Sequence, residues 1–142
     1  MKQNPKQDLR FIKNENLIRE TFYQMLGEMD YSKISIKELT QRAQINRKTF
    51  YLHYTSLDHL LATLQLEIME PTFKMIEETS FPDDAELIIR KSFEIMAALD
   101  STDKLILSCK GNFPEKKSPS DLIRDQLFKK YDHIPKYGPF ES

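Results

Sequence analysis

Apolar positions along this chain recur at helical rather than strand spacing. Leu17, Ile18, Phe22, Met25, Leu26 and Met29, with Thr21 among them, predict a first helix from about Arg10 to Met29. Met1 to Asp8 is polar and expected to fray, and Asp30-Tyr31-Ser32-Lys33 ends the helix. Ser35-Ile36-Lys37-Glu38 has the form of a capping box, in which the Ser35 hydroxyl accepts from the Glu38 amide while the Glu38 side chain reaches back. It opens a second helix, Ile36 to Ala43, with Ile36, Leu39 and Ala43 on one face. Gln44-Ile45 is a tight break. Asn46 is a good N-cap for a third short helix, Arg47 to Tyr54. Thr55-Ser56 caps a fourth from Leu57, and Pro71 either kinks that helix or ends it and opens the next.

In the second half, Phe81-Pro82-Asp83-Asp84 punctuates the chain before a helix from Ala85 to Leu99. Asp100-Ser101-Thr102 is a break with capping chemistry, and a short apolar helix runs from Asp103 to Cys109. Gly111 to Pro119 reads as a loop, Ser120 caps a helix through Tyr131, and Pro135, Gly138 and Pro139 break the remaining tail. With three glycines and no long alternating runs, the fold class is all-α. The expected organisation is a helix-turn-helix domain of three helices over residues 1–56, then a helical body over 57–142.

The second and third helices carry most of the functional signal. Their close crossing wants a small residue, supplied by Ala43, and the turn wants an apolar plug, supplied by Ile45. Phe50 and Tyr54, four apart, share a face that packs on Phe22, Met25 and Leu26. Arg47, Lys48 and Tyr51 are left on the opposite face, with Thr49 and His53 at its flanks. Arg47 suits the two guanine acceptors of the major groove, while Lys48 and the Tyr51 hydroxyl suit phosphate oxygens. The free amides opening helices three and four also suit phosphates. A solvated charged face on a generic bundle would look similar, and the Ser-capped helix and tight turn before it favour the DNA-facing reading.

Net charge, −1, points to no particular partner, but its distribution adds a little. Residues 1–66 hold ten Lys/Arg against seven Asp/Glu, and residues 67–142 eleven against fifteen. A slightly basic first half on an acidic remainder fits a nucleic-acid-facing module. The single cysteine, Cys109, excludes an intramolecular disulfide, and no signal peptide or membrane-length apolar run is present, so a cytoplasmic protein is expected.

The stretch from Ile36 to Tyr54 resembles the DNA-binding domain of TetR-family transcriptional regulators. Thr49-Phe50-Tyr51 followed by His53-Tyr54 is similar to that family's Thr-aliphatic-Tyr-x-His-aromatic signature. The likeness covers about residues 10–62, reaching Leu17, Phe22 and Tyr31 upstream and Ser56, Leu60 and Leu61 downstream. It implies that Tyr51 and His53 contact phosphates, that Arg47, Lys48 and Thr49 lie near DNA, and that Ser35 and Lys37 are further phosphate candidates. It also implies a homodimeric repressor on an inverted-repeat operator in double-stranded DNA, released when a small-molecule effector binds the helical body. Three departures stand out. Gln44 replaces the usual turn glycine, at a conformational cost of about 1 kcal/mol or somewhat more. Leu57 replaces a lysine, which removes one phosphate contact and about one unit of salt slope. The chain also reads as a short or truncated member, with only a Pro/Gly-broken tail after Tyr131.

Other features carry less. Phe93, Met96, Leu99, Leu105 and Cys109 are cavity candidates for an effector, although a filled core accounts for them better. For Cys109 a buried, inert thiol is the simpler reading. His53 could pack on a helix flank instead of facing DNA. His53, His59 and His133 lack partners at metal spacing, no cofactor motif is present, and no catalytic cluster is visible, so no enzyme is expected. If the chain dimerises, Phe93, Ile95, Leu122, Ile123 and Leu127 are interface candidates. The alternative function is a helical protein-interaction module that has lost DNA binding.

Overall fold

The computed structural model describes residues 5–111 and 119–132, and every element among them is helical. In chain order these are α1 (Pro5–Glu28), a single 3-10 turn (Tyr31–Lys33), α2 (Ile36–Ala43), α3 (Arg47–His53), α4 (Leu57–Glu78), α5 (Ala85–Ala98), α6 (Ser101–Ser108) and α7 (Pro119–Lys130). The fold is all-α. No helix among the described residues is long and apolar enough to cross a membrane. Most of the loop expected between Gly111 and Pro119, and the tail with Pro135, Gly138 and Pro139, lie outside the described residues, as does His133.

Several boundaries move. α1 is already helical at Pro5, upstream of the start expected near Arg10. α6 starts at Ser101 rather than Asp103. Asp100 is its cap and forms a full box: Asp100 Oδ1 accepts from the Asp103 amide at 2.8 Å, and Asp103 Oδ2 from the Asp100 amide at 3.1 Å. Ser120 sits inside the first turn of α7, after Pro119. α4 runs unbroken through Pro71 to Glu78.

The box expected at Ser35 is only half formed. Its hydroxyl accepts from the Glu38 amide at 3.1 Å, but the Glu38 carboxylate turns to Arg42, one turn on, at 3.0 Å. Arg42 also holds Glu28, at 2.6 Å, so it ties the end of α1 to α2. Gln44 does adopt the left-handed conformation, with φ 58° and ψ 40°. Its amide bonds the Gln41 carbonyl and the Ile45 amide bonds that of Thr40 at 3.1 Å, the Schellman arrangement that satisfies the last carbonyls of α2.

The core is built mainly by α1 to α4. Ile18, Phe22 and Met25 of α1 and Leu39 of α2 are fully buried, as are Phe50 of α3 and Leu60 of α4. Leu61, Leu64 and Ile106 of α6 complete the same cluster. The core therefore runs past residue 56 into the first half of α4. Tyr31 pins the 3-10 turn to the start of α4 by donating its hydroxyl to Asp58 Oδ1 at 2.5 Å. Burial, then the Asp58 carboxylate, push that phenol far above its ordinary pKa.

Candidate nucleic-acid interface

Asn46 sets the start of α3. Its Oδ1 accepts from the Thr49 amide at 2.8 Å and from the Thr49 hydroxyl at 3.0 Å. Phe50 is fully buried and Tyr54, the C-cap, nearly so, which fixes the inner face of the helix. The Tyr54 hydroxyl donates to Glu15 at 3.2 Å and accepts from Arg19 Nε at 3.1 Å. Arg19 in turn grips Glu67 of α4 with two nitrogens, at 2.7 and 2.9 Å. One guanidinium thus joins α1, the end of α3 and the middle of α4. That bidentate pair, more than anything else, holds Arg19 in its charged form.

The outer face is open. Arg47, Lys48 and Tyr51 are exposed, Tyr51 at 47 %, with its ring edge-on to Phe50 at 5.6 Å. Lys37 and Ser35 are exposed at the start of α2. Among the described residues no carboxylate pairs with Lys37, Arg47 or Lys48, whereas Arg19 and Arg42 hold two each. The cations of this half therefore divide into braces and unpaired surface charges. Ser35, Lys37 and Arg47 line one cleft of about 350 Å³, together with Ser56 and Asp58. Ser35 and Ser56 each accept the capping amide of their own helix, so both hydroxyl protons stay available.

Thr49 and His53 are placed differently. Thr49 is half-buried and its hydroxyl proton is committed to Asn46, so it braces the cap. A phosphate oxygen needs a donor, which that hydroxyl supplies only by releasing Asn46. His53 is half-buried and stacks on Phe11 of α1, with centroids 3.9 Å apart and planes at 24°. Burial lowers its pKa, with Glu15 opposing. Its Nδ1 is enclosed and finds no hydrogen-bond partner among the described residues, so a hydrogen bond from this ring outward comes from Nε2. The packing role is thus present, alongside a face that still carries a ring donor.

Sequence reasoning missed Phe11 and the Arg19 network, and had Ser56 only as a helix cap with phosphate-suited amides. Phe11 stands seven residues before Ile18, on the same helical stripe as Phe22, which would have found it. The signature at Ser56 is that of a helix cap, which points to structure before it points to a ligand. The Arg19–Glu67 pair spans 48 residues and has no local signal.

The effector-cavity candidates need correction. Phe93 and Met96 are 69 % and 64 % exposed, Leu105 is also exposed, and only Cys109 packs against the core. Phe93, Met96 and Leu105 stand open to solvent, whereas Leu99 lines a cleft between α4, α5 and α6. Burial raises the pKa of the Cys109 thiol, and its carbonyl accepts from Gln65 at 3.1 Å. The clefts of the body lie on the other side of α5. One, about 540 Å³, is lined by Glu94, Ile95, Ala98 and Leu99 with residues of α1, α4 and α6. Another, about 600 Å³ and mostly apolar, lies between α4, α5 and α7 and includes Ile123 and Leu127.

No family model matches the chain, and no solved structure matches it. Among curated proteins it is similar to YxbF of Bacillus subtilis (strain 168), described as an uncharacterized HTH-type transcriptional regulator. The identity is 34 % over 58 residues, which is 40 % of this chain and 15 % of that protein. The chain thus matches only a small part of its relative's length.

Proposed function

We propose that this chain is a sequence-specific, DNA-binding transcriptional regulator of the TetR type, cytoplasmic, acting as a homodimeric repressor on an inverted-repeat operator and released by a small effector. The observation that carries the reading is the outer face of α3, where Arg47, Lys48 and Tyr51 stand exposed and unpaired while Phe50 and Tyr54 lock the helix behind them. The relative's description as an HTH-type regulator supports it.

In this reading Arg47 reads a base edge, Lys48 and Tyr51 hold phosphates, and His53 donates from Nε2. Ser35, Lys37 and the amides at Ser56 hold the adjoining strand. Thr49 acts through the Asn46 cap, with a DNA contact of its own only if that cap rearranges. The effector releases DNA by binding more tightly to the DNA-incompetent arrangement.

Selection from a random duplex pool, then anisotropy at several salt concentrations, tests this. An enriched inverted repeat is expected. Lys48→Ala should weaken all duplexes alike and reduce the salt slope by about one unit, while Arg47→Ala should relax preference at one position. A pool with no enriched sequence would sink the sequence-specific reading, and an enriched single half-site would sink the dimer.

A second reading, a helical protein-interaction module without DNA binding, draws on the open apolar stripe of α5 and on Leu57. It predicts no salt-sensitive affinity for any duplex.

A further inference from the structure

The cleft of about 540 Å³ joins the two halves of the molecule: Tyr23 comes from α1, Leu64 to Pro71 from α4, Glu94 to Leu99 from α5, and Asp103 with Ile106 from α6. Its walls are apolar, with Leu64, Ile68 and Ile95 among them, and that size suits a small organic ligand. Its charge is one-sided. Glu67, Glu94 and Asp103 line it, and among the described residues no Lys, Arg or His does. Arg19, which acts on the Tyr23 phenol, is committed to Glu67 and Glu15. Asp103 uses Oδ2 for its own helix cap, and Glu94 forms no hydrogen bond or ion pair with the described residues. The Tyr23 phenol is raised in pKa mainly by burial, opposed by Arg19, with Glu67 and Asp103 adding smaller rises, so both carboxylates act at its hydroxyl.

We propose that this cleft binds a small organic cation with an apolar body, held by Glu94 and Asp103 with Tyr23 as an aromatic wall, and that this cation is the effector of the regulator proposed above. The effector role rests on that reading; the site does not. A hard metal ion is the wrong occupant, because it needs six or more oxygens in a cage, and no group of three or more metal-ligating side chains lies together among the described residues. A weakly hydrated organic cation loses little on entering apolar walls and gains from carboxylates and from an aromatic face. The site also touches the reading helix through few atoms. A cation beside Glu67 competes with Arg19, and Arg19 holds the Tyr54 hydroxyl at the end of α3.

Calorimetry on the full chain without DNA tests the site, with tetraphenylphosphonium and tetraphenylborate as probes of like shape and opposite charge. Saturable one-to-one binding of the phosphonium is expected, at least tenfold tighter than the borate. Glu94→Gln should weaken it about tenfold, Ala98→Phe should fill the cleft and abolish it, and Glu86→Gln, outside the lining, should leave it unchanged. Glu94 and Ala98 are both exposed, so neither variant threatens folding. Equal affinity for both probes, no phosphonium binding, or indifference to both cleft variants would overturn the site. With a selected duplex present, saturating phosphonium should weaken DNA binding at least fivefold. A duplex affinity unmoved by bound phosphonium would overturn the effector role, whereas absence of any duplex binding would overturn the regulator reading and leave the calorimetric result standing.

Discussion

The two ends of the molecule bury their apolar residues very differently. α1 to α3 and the first half of α4 place Ile18, Phe22, Met25, Leu39, Phe50 and Leu60 at zero exposure in one cluster. α5 and α7 contain no fully buried residue, and α5 leaves Ile89, Phe93 and Met96 open along one stripe. Helical spacing therefore makes a helix in both places, but only in the first do apolar residues close into a fully buried cluster, even though Leu9, Ile12 and Leu52 stay open there too. The lesson is that the α1–α3 head is fixed by its own packing, whereas the body leaves apolar surface open.

Unfolding by denaturant gives the sharpest test of that contrast. Phe22→Ala should cost about 3–5 kcal/mol through lost burial and the cavity left behind. Phe93→Ala should stay within about 0.5 kcal/mol. A large loss at Phe93 would mean that the stripe is covered, and self-association at higher concentration would then be the place to look.

Arg19 probes the joint between the regions. Arg19→Met removes its bonds to Glu67 and Tyr54 while keeping much of the stem packing, and should cost about 1 kcal/mol, less than a buried pair would, because Glu67 is half-exposed. Gln44→Gly should stabilise the head by about 0.5–1 kcal/mol, since glycine occupies the left-handed region freely. A destabilised glycine variant would show that the Gln44 side chain contributes more than its backbone strain costs.

His53 gives the smallest effect and a sign. Its folded pKa is lowered, so the unfolded chain binds more protons at acid pH. The residue should cost nothing well above pH ~6.5 and should destabilise the head progressively as pH falls below it. His53→Phe should flatten that part of the stability profile; an unchanged profile would mean that the ring charges freely while stacked on Phe11.

The head was legible in the sequence because its signals are local. The Asn46 cap, the left-handed Gln44, the small Ala43 and the Phe50–Tyr54 pair all act within a few residues of themselves. The body was less legible. α5 has apolar residues around much of its circumference, so Phe93 and Met96 looked as inward as Ile95, and only the position of α4 decides among them. Glu38 had two partners within reach, and its pairing with Arg42, which also holds Glu28, left the Ser35 box half made. The roles of Arg19 and Glu67 depend on three helices meeting, which no window of sequence displays.

That meeting point has a mechanical consequence. α4 is anchored to the head at Asp58 through Tyr31 and at Glu67 through Arg19, and its 22 residues continue to Glu78. The eleven residues past Glu67 form a cantilever of about 16 Å at the usual helical rise, so a tilt of roughly 5° displaces its tip by about 1.4 Å. Any load on α5 or α7 is felt as a bending moment at the root of that beam, and the root is the guanidinium from which the end of α3 hangs.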